Sequence, residues 1–135
     1  MRVVVDSHTI YWDLADRSVL SSVALAALAE AEISDGIVVS VWSIPELWLA
    51  TTRKRGARAI PHASCLQLRD ALADPENAVE VEPFGPAMWS HFEAAALLLA
   101  DPFDCAVVAT AKALGLALVT YDDAIRASGA VNTVW

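Results

Sequence analysis

Short apolar runs alternate along the chain with longer segments whose apolar residues recur at helical spacing. The opening "RVVVD" (2–6) is β-branched and ends in an acid, the pattern of a buried parallel strand whose C-terminal end faces a crevice. Residues 17–36, "RSVLSSVALAALAEAEISDG", put Val19, Val23, Ala26, Ala27 and Glu30 at helical spacing and close in a turn. "GIVVSVW" (36–42) predicts a second strand. "SIPELWLATTRKRG" (43–56) predicts a helix with Ser43 as N-cap, Pro45 in its first turn and Gly56 just beyond its end. "HASCLQLRDALADPEN" (62–77) reads as a helix that stops at Asp74-Pro75. "AVEVEPF" (78–84) alternates apolar and acidic residues, as an edge strand does. Two further helices, "PAMWSHFEAAALLL" (86–99) and "ADPFDCAVVATAKALG" (100–115), precede the strand "LALVT" (116–120), the short helix "YDDAIRASG" (121–129) and a last strand, "VNTVW" (131–135).

Helices alternating with short, unbroken apolar strands predict an α/β fold: a three-layer α/β/α sandwich around a mainly parallel sheet. With 135 residues, 56% of them hydrophobic, the chain suits one domain over 1–135, without internal repeat or long linker. Open sheets of this kind bind ligands at the C-terminal ends of their strands. Four acids map there. Asp6 ends the first strand, Glu46 opens the helix after the second, Asp104 opens the helix before "LALVT", and Asp122 follows that strand. Carboxylates crowded in a partly buried cleft repel one another unless a cation neutralises them. Mg²⁺ or Mn²⁺ prefers such oxygen ligands, and with it the cluster would activate water for phosphodiester cleavage.

Each acid also has a structural reading. "SIPE" is a capping box in which Glu46 reaches back to the N-cap N–H. Asp101-Pro102 is the pattern of an N-cap followed by proline at the first helical position, so Asp101 reads as a cap. Asp104 then falls at the third helical position, where a carboxylate complements the helix dipole. Asp6 has no helix pattern beside it, although "DSHT" suits an Asx-type turn. Asp122 and Asp123 can start the last short helix. Convergence on one sheet edge is what raises these acids above their separate readings.

Charge sharpens the picture. A net charge of −8 argues against a general nucleic-acid-binding surface, since polyanions are held through Lys and Arg. Yet Arg53, Lys54, Arg55 and Arg58 cluster in "RKRGAR", which is either a solvated helix C-terminus or a grip on an RNA backbone. Cys65 and Cys105 form no CxxC pair and read as free thiols. The longest apolar run, "AAALLLA" (94–100), is far below the roughly 20 residues of a bilayer span, so a soluble, cytoplasmic protein is expected. Ser7 and Thr120 adjoin two of the acids, where their hydroxyls would orient carboxylates or make ordinary turn hydrogen bonds. His8, His62 and His91 share no spacing, and no histidine base is expected. Trp12, Trp42, Trp48, Trp89 and Trp135 suit the core or an interface, or stacking on unpaired bases.

Taken in order, "VVVDSH", "SVWSIPELW", "DPFDCAVVATAKALGLALVT" and "TYDD" resemble the PIN-domain ribonucleases of the VapC toxin type, and the likeness covers essentially all of the chain. The resemblance implies that Asp6, Glu46, Asp104 and Asp122 form an acidic quartet holding Mg²⁺ or Mn²⁺, with Asp6 and Asp104 as the principal ligands. It also implies an RNA substrate, a homodimer and a VapB-like antitoxin that occludes the cleft. This chain has Cys105 where many relatives carry Arg, and the T-x-D spacing selects Asp122 over Asp123. Two other functions compete with the ribonuclease. One is a phosphoacceptor receiver module, which wants an acidic pair after the first strand and a late lysine that this chain lacks. The other is a catalytically inert PIN fold that only binds a partner.

Overall fold

The structure is a computed structural model that describes residues 1–52 and 59–135. In chain order the elements are β1 (Val3–Val5), α1 (Ser7–Ala15), a 3-10 turn (Arg17–Val19), α2 (Ser22–Ile33), β2 (Ile37–Ser40), α3 (Ser43–Ala50) and α4 (His62–Ala73). They continue with β3 (Val79–Glu82), a second 3-10 turn (Pro86–Met88), α5 (Trp89–Ala96), α6 (Pro102–Leu114), β4 (Leu118–Val119), α7 (Asp123–Ser128) and β5 (Thr133–Val134). The strands form one five-stranded sheet in the order β3-β2-β1-β4-β5, and every pairing is parallel. The alternating "AVEVEPF" segment lies at an edge, as expected of a strand that is only half buried.

Alternation along the central strands divides the core. Val3 and Val5 join Ile10 of α1, Leu28 of α2, Leu47 of α3 and Leu68 of α4 on one face of the sheet. Val4 and Leu118 face the other way, against Ala95 of α5, Val108 of α6 and Ile125 of α7. Helices therefore cover both faces, and the three-layer α/β/α expectation holds. Each such valine or leucine side chain, fully buried, contributes about 1.5–3 kcal/mol. Both cysteines are free and buried. No helix among the described residues is long and apolar enough to cross a membrane.

Three local features differ from the expectations. Residues 7–15 are helical rather than a turn: Asp6 is extended (φ −79°, ψ 173°), and its carboxylate caps α1 by accepting from the Thr9 N–H at 2.8 Å. The helix after β2 is capped by Trp42, which makes no side-chain cap hydrogen bond, so the Ser43 capping box does not form. Ser43 lies within the helix, its buried Oγ without a hydrogen-bond partner among the described residues. The segment read as one helix over 17–36 divides, because Ser21 accepts from the Ala24 N–H at 3.0 Å and starts α2 afresh.

Candidate functional site

Parallel pairing assembles the site. Val5 lies opposite Val119 in the β1–β4 register, so the residues that leave these strands, Asp6 and Thr120, emerge side by side. Thr120 Oγ1 donates to Asp6 Oδ2 and accepts from the Asp122 N–H at 3.1 Å. Asp6 Oδ1 is engaged by the Thr9 N–H. Asp122 is in turn the N-cap of α7, its Oδ1 accepting from the Ile125 N–H at 3.0 Å. One buried hydroxyl thus ties together two carboxylate-bearing loops.

A second hydroxyl performs the corresponding task on the other side. Ser7, buried at the start of α1, donates from Oγ to Glu46 Oε1 in the first turn of α3. Its Oγ lies 3.4 Å from His8 Nδ1. Because the Ser7 proton points to Glu46, a hydrogen bond between Ser7 and His8 requires the proton on Nδ1.

Asp6, Glu46, Asp104 and Asp122 all line one small cleft, together with Ser7, His8, Trp12, Val107 and Tyr121. Among the described residues, no Lys or Arg lines it. Asp104 is the third residue of α6, and Asp101 caps that helix by accepting from the Phe103 N–H at 2.8 Å. Glu46, Asp101 and Asp104 each offer one carboxylate oxygen, and these oxygens lie within 4.8 Å of one another. Asp6 and Asp122 share the cleft but stand outside that set. An all-oxygen set this close fits a hard divalent cation better than a soft one.

Cys105, adjacent to Asp104, points inward, its Sγ 3.5 Å from the Leu99 carbonyl oxygen. Burial pushes its thiol pKa up, with Asp104 and then Asp101 adding to the effect, so it is a packing residue and not a nucleophile. The cluster of Arg53, Lys54, Arg55 and Arg58 lies outside the described residues, as does the Gly56 stop signal.

Four residues of the site escaped the sequence reading. Asp101 was legible as a cap, yet a cap's carboxylate can also face a neighbouring acid, and only the folded arrangement brings Glu46 beside it. His8, Trp12 and Tyr121 depend on α1 or on the "TYD" turn. Reading "DSHTIYW" as a capped helix would have set His8 and Trp12, four positions apart, on one face next to Asp6.

A family profile for the PIN domain matches residues 3–130. No curated protein matches the chain. Among solved structures, VapBC2 from Rickettsia felis, bound to a promoter DNA fragment, is similar at TM-score 0.69 and 11% identity, covering 98% of this chain and 97% of that one. VapBC-1 from nontypeable Haemophilus influenzae is similar at TM-score 0.68 and 15% identity, with 98% and 96% covered. VapC20 from Mycobacterium tuberculosis, a sarcin-ricin loop cleaving toxin, is similar at TM-score 0.65 and 15% identity, with 94% and 95% covered. At these identities the structural likenesses speak to the fold, and the profile match, spanning nearly the whole sequence, to the family: the chain belongs to the PIN domain family.

Proposed function

We propose that this single PIN domain is a Mg²⁺- or Mn²⁺-dependent endoribonuclease, the toxin of a VapBC-type pair acting on cytoplasmic RNA. The observation that carries the reading is the convergence of Asp6, Glu46, Asp104 and Asp122 on one cleft at the C-terminal edge of the sheet. The ion would be held by Asp104 with Asp6, supported by Glu46 and Asp122, and Asp101 joins through its closeness to Glu46 and Asp104. When bound, a divalent cation lowers the pKa of water and stabilises charge developing on a phosphodiester.

The chain's own groups fix the donors. Thr120 holds Asp6 in one rotamer and braces the turn that carries Asp122, while Ser7 holds Glu46. Hydroxyls behind the carboxylates orient them without adding charge. Val107 adds an apolar side chain to the cleft lining. Arg53, Lys54, Arg55 and Arg58 are proposed to grip the RNA backbone, since polyanions are held through Lys and Arg.

VapBC complexes among the similar structures support a VapB-like antitoxin as the partner, and the family resemblance extends the expectation to a homodimer. Family membership sets the receiver reading aside. The test is controlled expression of the chain followed by mapping of new RNA 5′ ends, alongside Asp6→Asn and Asp104→Asn. New ends and toxicity should appear with the wild type and vanish in folded variants. Full activity in either variant would remove the metal assignment. Wild-type protein that cleaves no RNA with Mg²⁺ or Mn²⁺ would favour an inert, partner-binding PIN fold.

A further inference from the structure

An aromatic wall runs directly into the carboxylate cleft. Tyr121 stands between Thr120 and Asp122, both buried, yet its own side of the turn is half exposed. Its ring meets Trp12 at 5.8 Å between centroids with planes at 78°, and Trp135 at 5.4 Å and 64°. Trp12 also touches Trp135 at 6.1 Å and His8 at 5.8 Å. Tyr121, Trp12 and His8 line the same cleft as the four acids.

Most aromatic rings of this size are buried because their surface is apolar. Tyr121 is held instead by edge-on neighbours at the rim. Its backbone is fixed from both sides, by the Thr120 hydroxyl bonded to Asp6 and to the Asp122 N–H, and by the Asp122 cap on α7. The exposed ring is therefore rigidly placed beside the carboxylates. Rigid placement of an exposed aromatic next to a charged cleft is what a stacking platform needs, because little is lost in ordering it. Among the described residues the cleft lining carries no Lys or Arg, so an aromatic face would add a contact there that does not depend on charge.

We infer that Tyr121, braced by Trp12 and Trp135, is a stacking platform for one unpaired nucleobase of the RNA, next to the phosphate that faces the carboxylates. This rests on the ribonuclease reading and adds a substrate class to it. Bases inside a helix already stack on one another, so only a single-stranded or looped nucleotide can offer its face. Stacking accepts any base and gives single-strand preference ahead of sequence preference.

The test measures binding of fluorescein-labelled, single-stranded oligouridine and of the matching abasic oligomer, with Asp104→Asn protein so that nothing is cleaved. Tyr121→Ala in that background should weaken oligouridine binding by about tenfold or more, a typical loss for one stacked base. Tyr121→Phe should keep the affinity, and the abasic oligomer should bind all three proteins alike. The tenfold ratio should persist as salt is raised, although every affinity falls. If oligouridine binds but Tyr121→Ala leaves it unchanged, the platform is overturned and the ribonuclease reading stands. Equal loss for the abasic oligomer would also overturn it, since the effect would then not lie in the base. If the Asp104→Asn protein binds no RNA while the wild type cleaves none, both readings fall.

Discussion

Thr120 and Asp6 are 114 positions apart, yet the Thr120 hydroxyl donates directly to the Asp6 carboxylate across the adjacent ends of β4 and β1. The same oxygen accepts from the Asp122 N–H, so one side chain serves two acids. Thr120→Val keeps the shape and removes both interactions, leaving a buried N–H without its acceptor. The expected cost is about 1–3 kcal/mol of stability, read by urea unfolding. RNA cleavage should fall further than that stability loss explains, and Thr120→Ser should restore both.

Asp101 allows capping to be separated from metal binding. Asparagine is as good an N-cap as aspartate, so Asp101→Asn should leave α6 and the melting temperature nearly unchanged. If the carboxylate helps Glu46 and Asp104 hold a cation, the variant needs more Mg²⁺ or Mn²⁺ to reach half-maximal cleavage. Isothermal titration with Mn²⁺ gives the same comparison without turnover, and an unchanged affinity would confine Asp101 to capping.

Asp13 makes stability depend on pH in the less common direction. It is buried on α1, with Arg17 Nε 3.1 Å from its Oδ1, and Arg17 also reaches Glu32 at 2.9 Å. Burial raises its pKa; Arg17 lowers it in part, and Glu32 raises it. A raised carboxyl pKa means that the folded state binds the proton more tightly than the unfolded chain. Asp13 thus favours the fold most below its ordinary value of 3.8, and this contribution is lost as pH rises through the folded-state pKa. Asp13→Asn removes the titration. Urea unfolding across that range should show the wild type losing stability relative to the variant as pH increases.

Gly36 turns the chain from α2 into β2 with φ +95°, and a Cβ there would lie 3.3 Å from the Ala78 carbonyl oxygen. Gly36→Ala should destabilise the protein by more than about 1 kcal/mol, because left-handed backbone and a close approach are both penalised. The Ile37 N–H bonds that same carbonyl at 3.1 Å, so hydrogen exchange should accelerate first at the β2–β3 pairing.

The elements that could be read from the sequence are those whose buried faces are apolar. β1, β2 and α6 announce themselves because valine, isoleucine and alanine fill their inward positions. α1 did not, since its buried residues are Ser7, His8, Thr9, Ile10 and Asp13, and four of these five are polar. Hydrophobic periodicity is blind to a helix that turns its polar side inward, and polar groups turn inward where a site is built. The acids at the sheet edge were legible through their positions after strands, whereas Asp101, His8 and Tyr121 enter through contacts between distant segments. "SIPE" misled for a related reason: Glu46, which a capping box would turn back to its own helix, is engaged by Ser7 of α1.

Every carboxylate lining the cleft stands at the beginning of a helix, Asp6 at α1, Glu46 at α3, Asp104 at α6 and Asp122 at α7, and so does the neighbouring Asp101 at α6. Helix N-termini carry partial positive charge, so part of the mutual repulsion is relieved by the backbone itself. Folding and binding of the proposed ion should then be separable, in contrast to small domains that unfold when stripped of their metal. If the proposed ion is the cofactor, a chelator should silence cleavage without melting the protein.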